Sequence, residues 1–156
     1  MTAILVILEQ RSGSLRKGTA ELLGAARHLA DQAGATVDAL VCGSGPVSGL
    51  DGLGAVGADR VLTATHADFV HYCPDGIVAT VASIASEYRA VFIAATSTGK
   101  DLAPRVAARL GSTCAMDVTS VASEGAMIRV VRPVYAGRAL QTVDLAGTPV
   151  VAVRPG

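Results

Sequence analysis

The chain has 156 residues, of which 51% are hydrophobic, and its 13 basic side chains are balanced by 13 acidic ones. That neutrality provides no field to recruit nucleic acid or an anionic membrane, and with 3% aromatics and no Trp there is no platform for stacking bases. A single domain over 1–156 is expected, long enough to bury roughly 68–70% of its unfolded surface around Val, Leu, Ile and Ala.

Residues 3–8 form a continuous apolar run, the pattern of a strand buried on both faces of a parallel sheet. A polar turn follows over 9–18. Leu22, Leu23, Ala26, Leu29, Ala30 and Ala33 then recur at helical spacing, with Thr19 suited to the N-cap and Gly34 to the C-terminal stop. Residues 36–42 read as a second buried strand. The stretch 43–58 carries six interior glycines and Pro46, each glycine costing about 1 kcal/mol in a helix, so only a short or irregular helix is expected. Residues 60–64 form a third strand. Pro74 fits the first helical position, with Asp75 near the positive helix end and Ile77, Val78, Val81, Ile84, Ala85 and Tyr88 on one apolar face. Residues 90–95 are a fourth strand, and Leu102, Val106 and Leu110 line the buried side of the next helix.

After Gly111 the helical period stops. Runs at 115–122, 127–133, 138–145 and 149–153 are parted by Gly-containing turns, as in successive hairpins. The expected architecture is α/β and three-layered: a central parallel sheet built by βαβ units, with antiparallel hairpins at its edge.

The turn Thr96, Ser97, Thr98, Gly99 and Lys100 lies between a parallel strand and a helix, where open sheets bind ligands and where free helix N–H groups attract anions. The competing reading is a structural cap, with Thr98 and Asp101 spaced as a capping box that consumes the same donors. Pro104 is expected in the first turn, so the helix should start between 99 and 101; Asp101, Arg105 and Arg109 would form a charged outer face. Gly43, Gly45 and Gly49 make a loop one residue too long for a dinucleotide fingerprint, and Pro46 removes a donor from it. His28, His66 and His71 share no metal-ligand spacing, and no Gly-x-Ser-x-Gly elbow occurs. No catalytic or metal site is expected. Arg132, Tyr135 and Arg138 crowd a hairpin whose Pro133 sits at a strand end; an exposed tip and a subunit contact are both open, since Tyr and Arg are favoured interface anchors. Cys42, Cys73 and Cys114 are dispersed, as in a reduced cytoplasmic protein. The apolar start is too short for a signal peptide, and no stretch has the length of a membrane span.

The wording TSTGKDLAPRVAARLG at 96–111, Asp117-Val118-Thr119, RPVYAGRA at 132–139 and the closing Val153-Arg-Pro-Gly156 resembles the amino-terminal domain of the electron transfer flavoprotein alpha subunit. Supporting matches are ELLGAAR at 21–27 and GADRV at 57–61. The resemblance covers essentially the whole chain. It implies a nucleotide-hydrolase-like fold with strand order 3-2-1-4-5, and a heterodimer with a beta subunit that holds one FAD and passes electrons from dehydrogenases such as those for acyl-CoA, as in fatty acid beta-oxidation, to a quinone oxidoreductase. The family's flavin is held mainly by a carboxy-terminal alpha domain whose motifs are absent here, so scaffolding, with no FAD on this chain alone, is the implied role. The other candidate is a stand-alone module binding adenine nucleotides at the strand ends.

Overall fold

The computed structural model describes residues 2–156. In chain order the elements are β1 (Ala3–Leu8), β2 (Gln10–Arg11), β3 (Ser14–Leu15), α1 (Thr19–Ala33), β4 (Thr36–Gly43), β5 (Arg60–Thr65), α2 (Pro74–Ile84), β6 (Tyr88–Ala94) and α3 (Ser97–Leu110). They are followed by β7 (Cys114–Val118), β8 (Ser120–Glu124), β9 (Met127–Val134), β10 (Ala139–Leu145) and β11 (Val150–Val153). The glycine-rich stretch forms only a short 3-10 helix, Leu50–Val56.

Six strands form a central sheet in the order β5-β4-β1-β6-β11-β7, every neighbouring pair parallel. Because side chains alternate along a strand, β1 feeds two cores. Ile4, Val6 and Leu8 pack with Leu22, Leu23, Ala26 and Leu29 of α1. Leu5 and Ile7 pack on the other face with Val81 of α2 and Leu102, Ala103 and Val106 of α3. This is the three-layer α/β arrangement expected from the sequence.

The C-terminal third departs from the expected edge hairpins. β8, β9 and β10 form their own antiparallel sheet, which covers the α1 face through Val121, Ile128, Val130 and Leu145. The last strand enters the central sheet, with Val150 opposite Val91 of β6 on one side and Cys114 of β7 on the other. The difference follows from burial. Val150, Val151 and Ala152 are all fully buried, as a two-faced parallel strand requires, whereas β9 alternates between exposed and buried at its start. The expected single strand at 115–122 is also broken. The pairing of β11 with β7 shifts register between Val151 and Val153, leaving one extra residue on β7, where Asp117 has φ 56. Bulges of this kind redirect a side chain.

Several local expectations change as well. Helix α1 is capped by Gly18, and the Thr19 hydroxyl donates to the Arg16 carbonyl instead. Tyr88 opens β6 rather than closing the α2 face. Its hydroxyl donates to Asp38 at 2.6 Å, and Asp38 also takes two bonds from Arg60 at 3.1 and 2.6 Å. Asp38 is 1% exposed and is the one charged side chain buried among the described residues. Burial acts to raise its pKa, but the bonds from Arg60 and Tyr88 outweigh it and hold the carboxyl below the usual carboxylate range. Burial and the Asp38 bond push the Tyr88 phenol up to about 12.

The family motifs at 21–27 and 57–61 meet in space. Arg27 donates to Asp59 at 2.8 Å, Asp59 accepts the Val37 N–H at 2.8 Å, and a Cβ at Gly57 would lie 3.1 Å from Arg27 Cβ. The tightest approach is at Gly99, where a Cβ would stand 1.7 Å from the Ala94 carbonyl oxygen. Only glycine lets α3 begin directly against the end of β6.

Two outcomes follow from these contacts. Gly99→Ala should cost at least ~3 kcal/mol, beyond the range of an ordinary surface change, because backbone must move on both elements; urea unfolding checks this, and a loss under ~1 kcal/mol would contradict it. Asp38, with its depressed folded pKa, contributes stability that is present above the ordinary carboxylate range and lost as pH falls through the folded value. Tyr88→Phe removes one donor, costs about 1–2 kcal/mol at neutral pH and shifts acid unfolding to higher pH. The Tyr88 phenol has the opposite sign: its contribution is present below the ordinary tyrosine value of 10.0 and lost as pH rises through about 12. Unfolding midpoints across pH for the parent and Tyr88→Phe test both limbs.

Candidate functional site

The strand order reverses between β1 and β6, and the segments leaving these strands diverge there. Open parallel sheets place ligand crevices at such a point. Here the crevice is occupied by the chain's own polar groups. The Thr96 hydroxyl donates to the Glu9 carboxylate and accepts the Gly99 N–H at 3.0 Å. The N-cap of α3 is therefore Thr96, not Thr98, and the helix starts at Ser97. β6 delivers Thr96 in extended conformation, φ −80 and ψ 176, as a capping residue requires. An N-cap two residues earlier also moves Pro104 from the expected first turn into the helix interior, where it denies the Lys100 carbonyl its usual donor.

Asp101 is not part of a capping box. It accepts from the Tyr72 hydroxyl at 2.8 Å and from Arg105 at 3.2 Å, bonds that hold its carboxyl below the usual range. Burial and the Asp101 bond raise the Tyr72 phenol. On the other side of the crevice, Gln10 donates to the Cys42 carbonyl at 3.1 Å and accepts the Gly13 N–H at 3.0 Å. The candidate anion site at 96–100 is thus bordered by Glu9 and Asp101, and its Gly99 donor is already used.

Lys100 turns away from this crevice. Its ammonium lies 3.3 Å from Asp117 Oδ1, the carboxylate redirected by the bulge in β7. Arg154, just beyond the end of β11, approaches the same oxygen at 3.8 Å. Asp117, Arg154 and Arg132 line a groove of about 560 Å³ whose far wall is the turn Pro133, Val134, Tyr135, Ala136 and Gly137. Arg132 is held in place by donating to the Met116 carbonyl at 2.9 Å and to Gln141 at 3.3 Å. Of the candidate interface residues, Arg132 and Tyr135 line this groove, while Arg138 sits exposed at the turn where β10 begins.

The turn itself is strained. Gly137 N–H donates to Val134 O across a bend in which Tyr135 and Ala136 both have positive φ, 52 and 55. A turn with two positive-φ centres favours Asn-Gly. Tyr and Ala in those places carry a conformational cost, and the Tyr135 side chain stands outward, 81% exposed. Leu140, 70% exposed, lies nearby at the start of β10.

The groove combines the two most distinctive sequence segments, 96–111 and 132–139, through Asp117. Sequence reasoning named Lys100, Arg132, Tyr135 and Arg138 but not Arg154 as a partner of Asp117. The bulge that joins them is a non-local register effect. Its available signal was Asp117 itself, one of the residue types that tolerate the left-handed region. Elsewhere, the thiols of Cys42, Cys73 and Cys114 are free; burial pushes Cys42 up to about 11 and also raises Cys114. Among the described residues no three His, Cys, Asp or Glu side chains converge as metal ligands, and no helix is long and apolar enough to cross a membrane.

Comparison with known proteins adds the family. The model of the electron transfer flavoprotein domain matches residues 4–156. Protein FixB of Clostridium saccharobutylicum is 38% identical, the alignment covering 98% of this chain and 47% of that protein. The electron transfer flavoprotein alpha subunit of Clostridium acetobutylicum is 32% identical over 98% of this chain and 47% of its own length. That of Mycobacterium leprae is 37% identical over all of this chain and 48% of its own length. The chain spans about half the length of the curated relatives it matches. It belongs to the electron transfer flavoprotein family, as the amino-terminal domain of an alpha subunit.

Proposed function

We propose that this chain is the scaffold and interface domain of an FAD-containing electron transfer flavoprotein heterodimer. In this reading it is part of an electron carrier rather than an enzyme in its own right. It works in the cytoplasm, and the complete assembly takes electrons from dehydrogenases, acyl-CoA dehydrogenases among them, and delivers them to a quinone oxidoreductase. The observation that carries the reading is the meeting of segments 96–111 and 132–139 at Asp117, which builds an exposed groove from the family's most distinctive residues. The beta subunit docks there, with Arg132, Tyr135 and Arg138 at the contact.

FAD is held outside this chain, mainly by the alpha carboxy-terminal domain. A pyrophosphate needs free backbone donors and positive charge. The crevice between β1 and β6 offers the Glu9 carboxylate, a Gly99 N–H already bonded to Thr96, and Lys100 drawn off to Asp117. The close approach at Gly99 is filled by the Ala94 carbonyl, leaving no cradle for a cofactor. The same features disfavour the stand-alone nucleotide module, because Glu9 and Asp101 repel phosphate at that crevice.

The test is a binding titration of the purified chain with its cognate beta subunit, alongside an absorbance spectrum. The chain alone should be colourless and bind the beta subunit. Replacing Tyr135 and Arg138 together by Ala should weaken binding roughly tenfold or more with the thermal midpoint unchanged, as expected for exposed anchors. Stoichiometric flavin absorbance from the isolated chain, or tight ATP binding without affinity for the beta subunit, would contradict the proposal.

A further inference from the structure

The groove beside Asp117 has a charge imbalance that the chain as a whole lacks. The full sequence is neutral. Around this one carboxylate gather Lys100 at 3.3 Å and Arg154 at 3.8 Å, both directed at the same Oδ1 atom, with Arg132 on the groove wall. Asp117 brings one negative charge against the three cations gathered around it, so the groove keeps a positive excess. Arg154 forms no hydrogen bond through its side chain among the described residues, and Arg132 uses Nε and Nη1 but leaves Nη2 free. Asp117 is the one acid among the groove-lining residues. Guanidinium forks with open N–H groups match carboxylates bidentately. Opposite them stand apolar surfaces, Pro133, Val134 and the outward Tyr135 ring, on a turn closed by the bond from Gly137 N–H to Val134 O.

We propose that this groove receives an acidic polypeptide segment of the beta subunit, an Asp or Glu side chain meeting Arg154 and Arg132 while a neighbouring apolar side chain lies against Pro133 and Tyr135. The proposal rests on the scaffold reading above and specifies the chemistry of its contact. The volume of about 560 Å³ is within the ~300–1,000 Å³ typical of sites that enclose several groups. The incoming carboxylate would replace the incomplete share of Asp117 that Arg154 now has, so pairing of charge is completed only in the complex. Free N–H groups on Arg154 and Arg132 beside an apolar wall give the groove both halves of such a contact.

The experiment is a titration of the chain with its beta subunit at rising NaCl, for the parent, Arg154→Glu, Arg154→Lys and Arg132→Gln. The parent should lose affinity several-fold between about 0.05 M and about 0.5 M salt, because exposed charge pairs are screened. Arg154→Glu should weaken binding roughly tenfold or more and flatten the salt dependence, and Arg154→Lys, which keeps the charge but loses the planar fork, should recover only part of the affinity. Arg132 also supports the Met116 carbonyl, so a thermal melt accompanies its variant; Arg154, which supports nothing else, carries the test if that variant unfolds. Binding by the parent with no effect of Arg154→Glu or of salt would overturn the acidic contact and leave the scaffold reading standing. No binding by the parent overturns both. Displacement of the beta subunit by millimolar inorganic phosphate would make the groove a small-anion site and overturn the proposal as well.

Discussion

The near-contact of Gly99 with the Ala94 carbonyl governs the functional end of this molecule. Because residue 99 has no side chain, α3 starts immediately where β6 ends, capped by Thr96 and tied through it to Glu9 at the end of β1. That start point sets the rotation of α3, so Leu102, Ala103 and Val106 face the sheet and Lys100 faces β7. Lys100 then meets Asp117, and Asp117 meets Arg154. One missing Cβ thus aligns a helix, a bulge and the end of the final strand around a shared groove.

The opposite end of the sheet serves stability. Asp38, Tyr88 and Arg60 span β4, β6 and β5 near the N-terminal ends of these strands, where they form a hydrogen-bonded set on the α2–α3 face. A buried carboxylate is costly unless fully paired, and here it has three bonds. Arg27, Asp59 and Val37 form a second link between α1 and the β4–β5 pair. The two ends of the sheet therefore differ: cross-links at the N-terminal end, and an open, polar groove where Arg154 follows β11.

Much of this was legible in the sequence. Continuous apolar runs marked β1, β4 and β6, helical spacing marked α1, and the glycines at 43–57 correctly signalled a weak helix. What escaped depended on partners distant in sequence. Val150–Val153 looked like another hairpin strand by its position, although its unbroken burial is the mark of a parallel one. Tyr88 fits the helical pattern of α2 and was drawn out of it by Asp38, fifty residues away. Thr96 rather than Thr98 caps α3 because the close approach at Gly99 requires an early start. At the groove, the candidate residues were visible individually, but their meeting point at Asp117 was created by a register shift that no local pattern encodes.

In the scaffold reading proposed above, this domain holds other parts in register, and the groove lined by Arg154, Arg132 and the outward Tyr135 is where it does so. The most direct measurement of that account is amide hydrogen exchange of the chain with and without its beta subunit. The account predicts slowed exchange confined to the hairpin at 132–140 and to the segments around Asp117 and Arg154. Protection confined to the far edge at β5, or none at all, would contradict it.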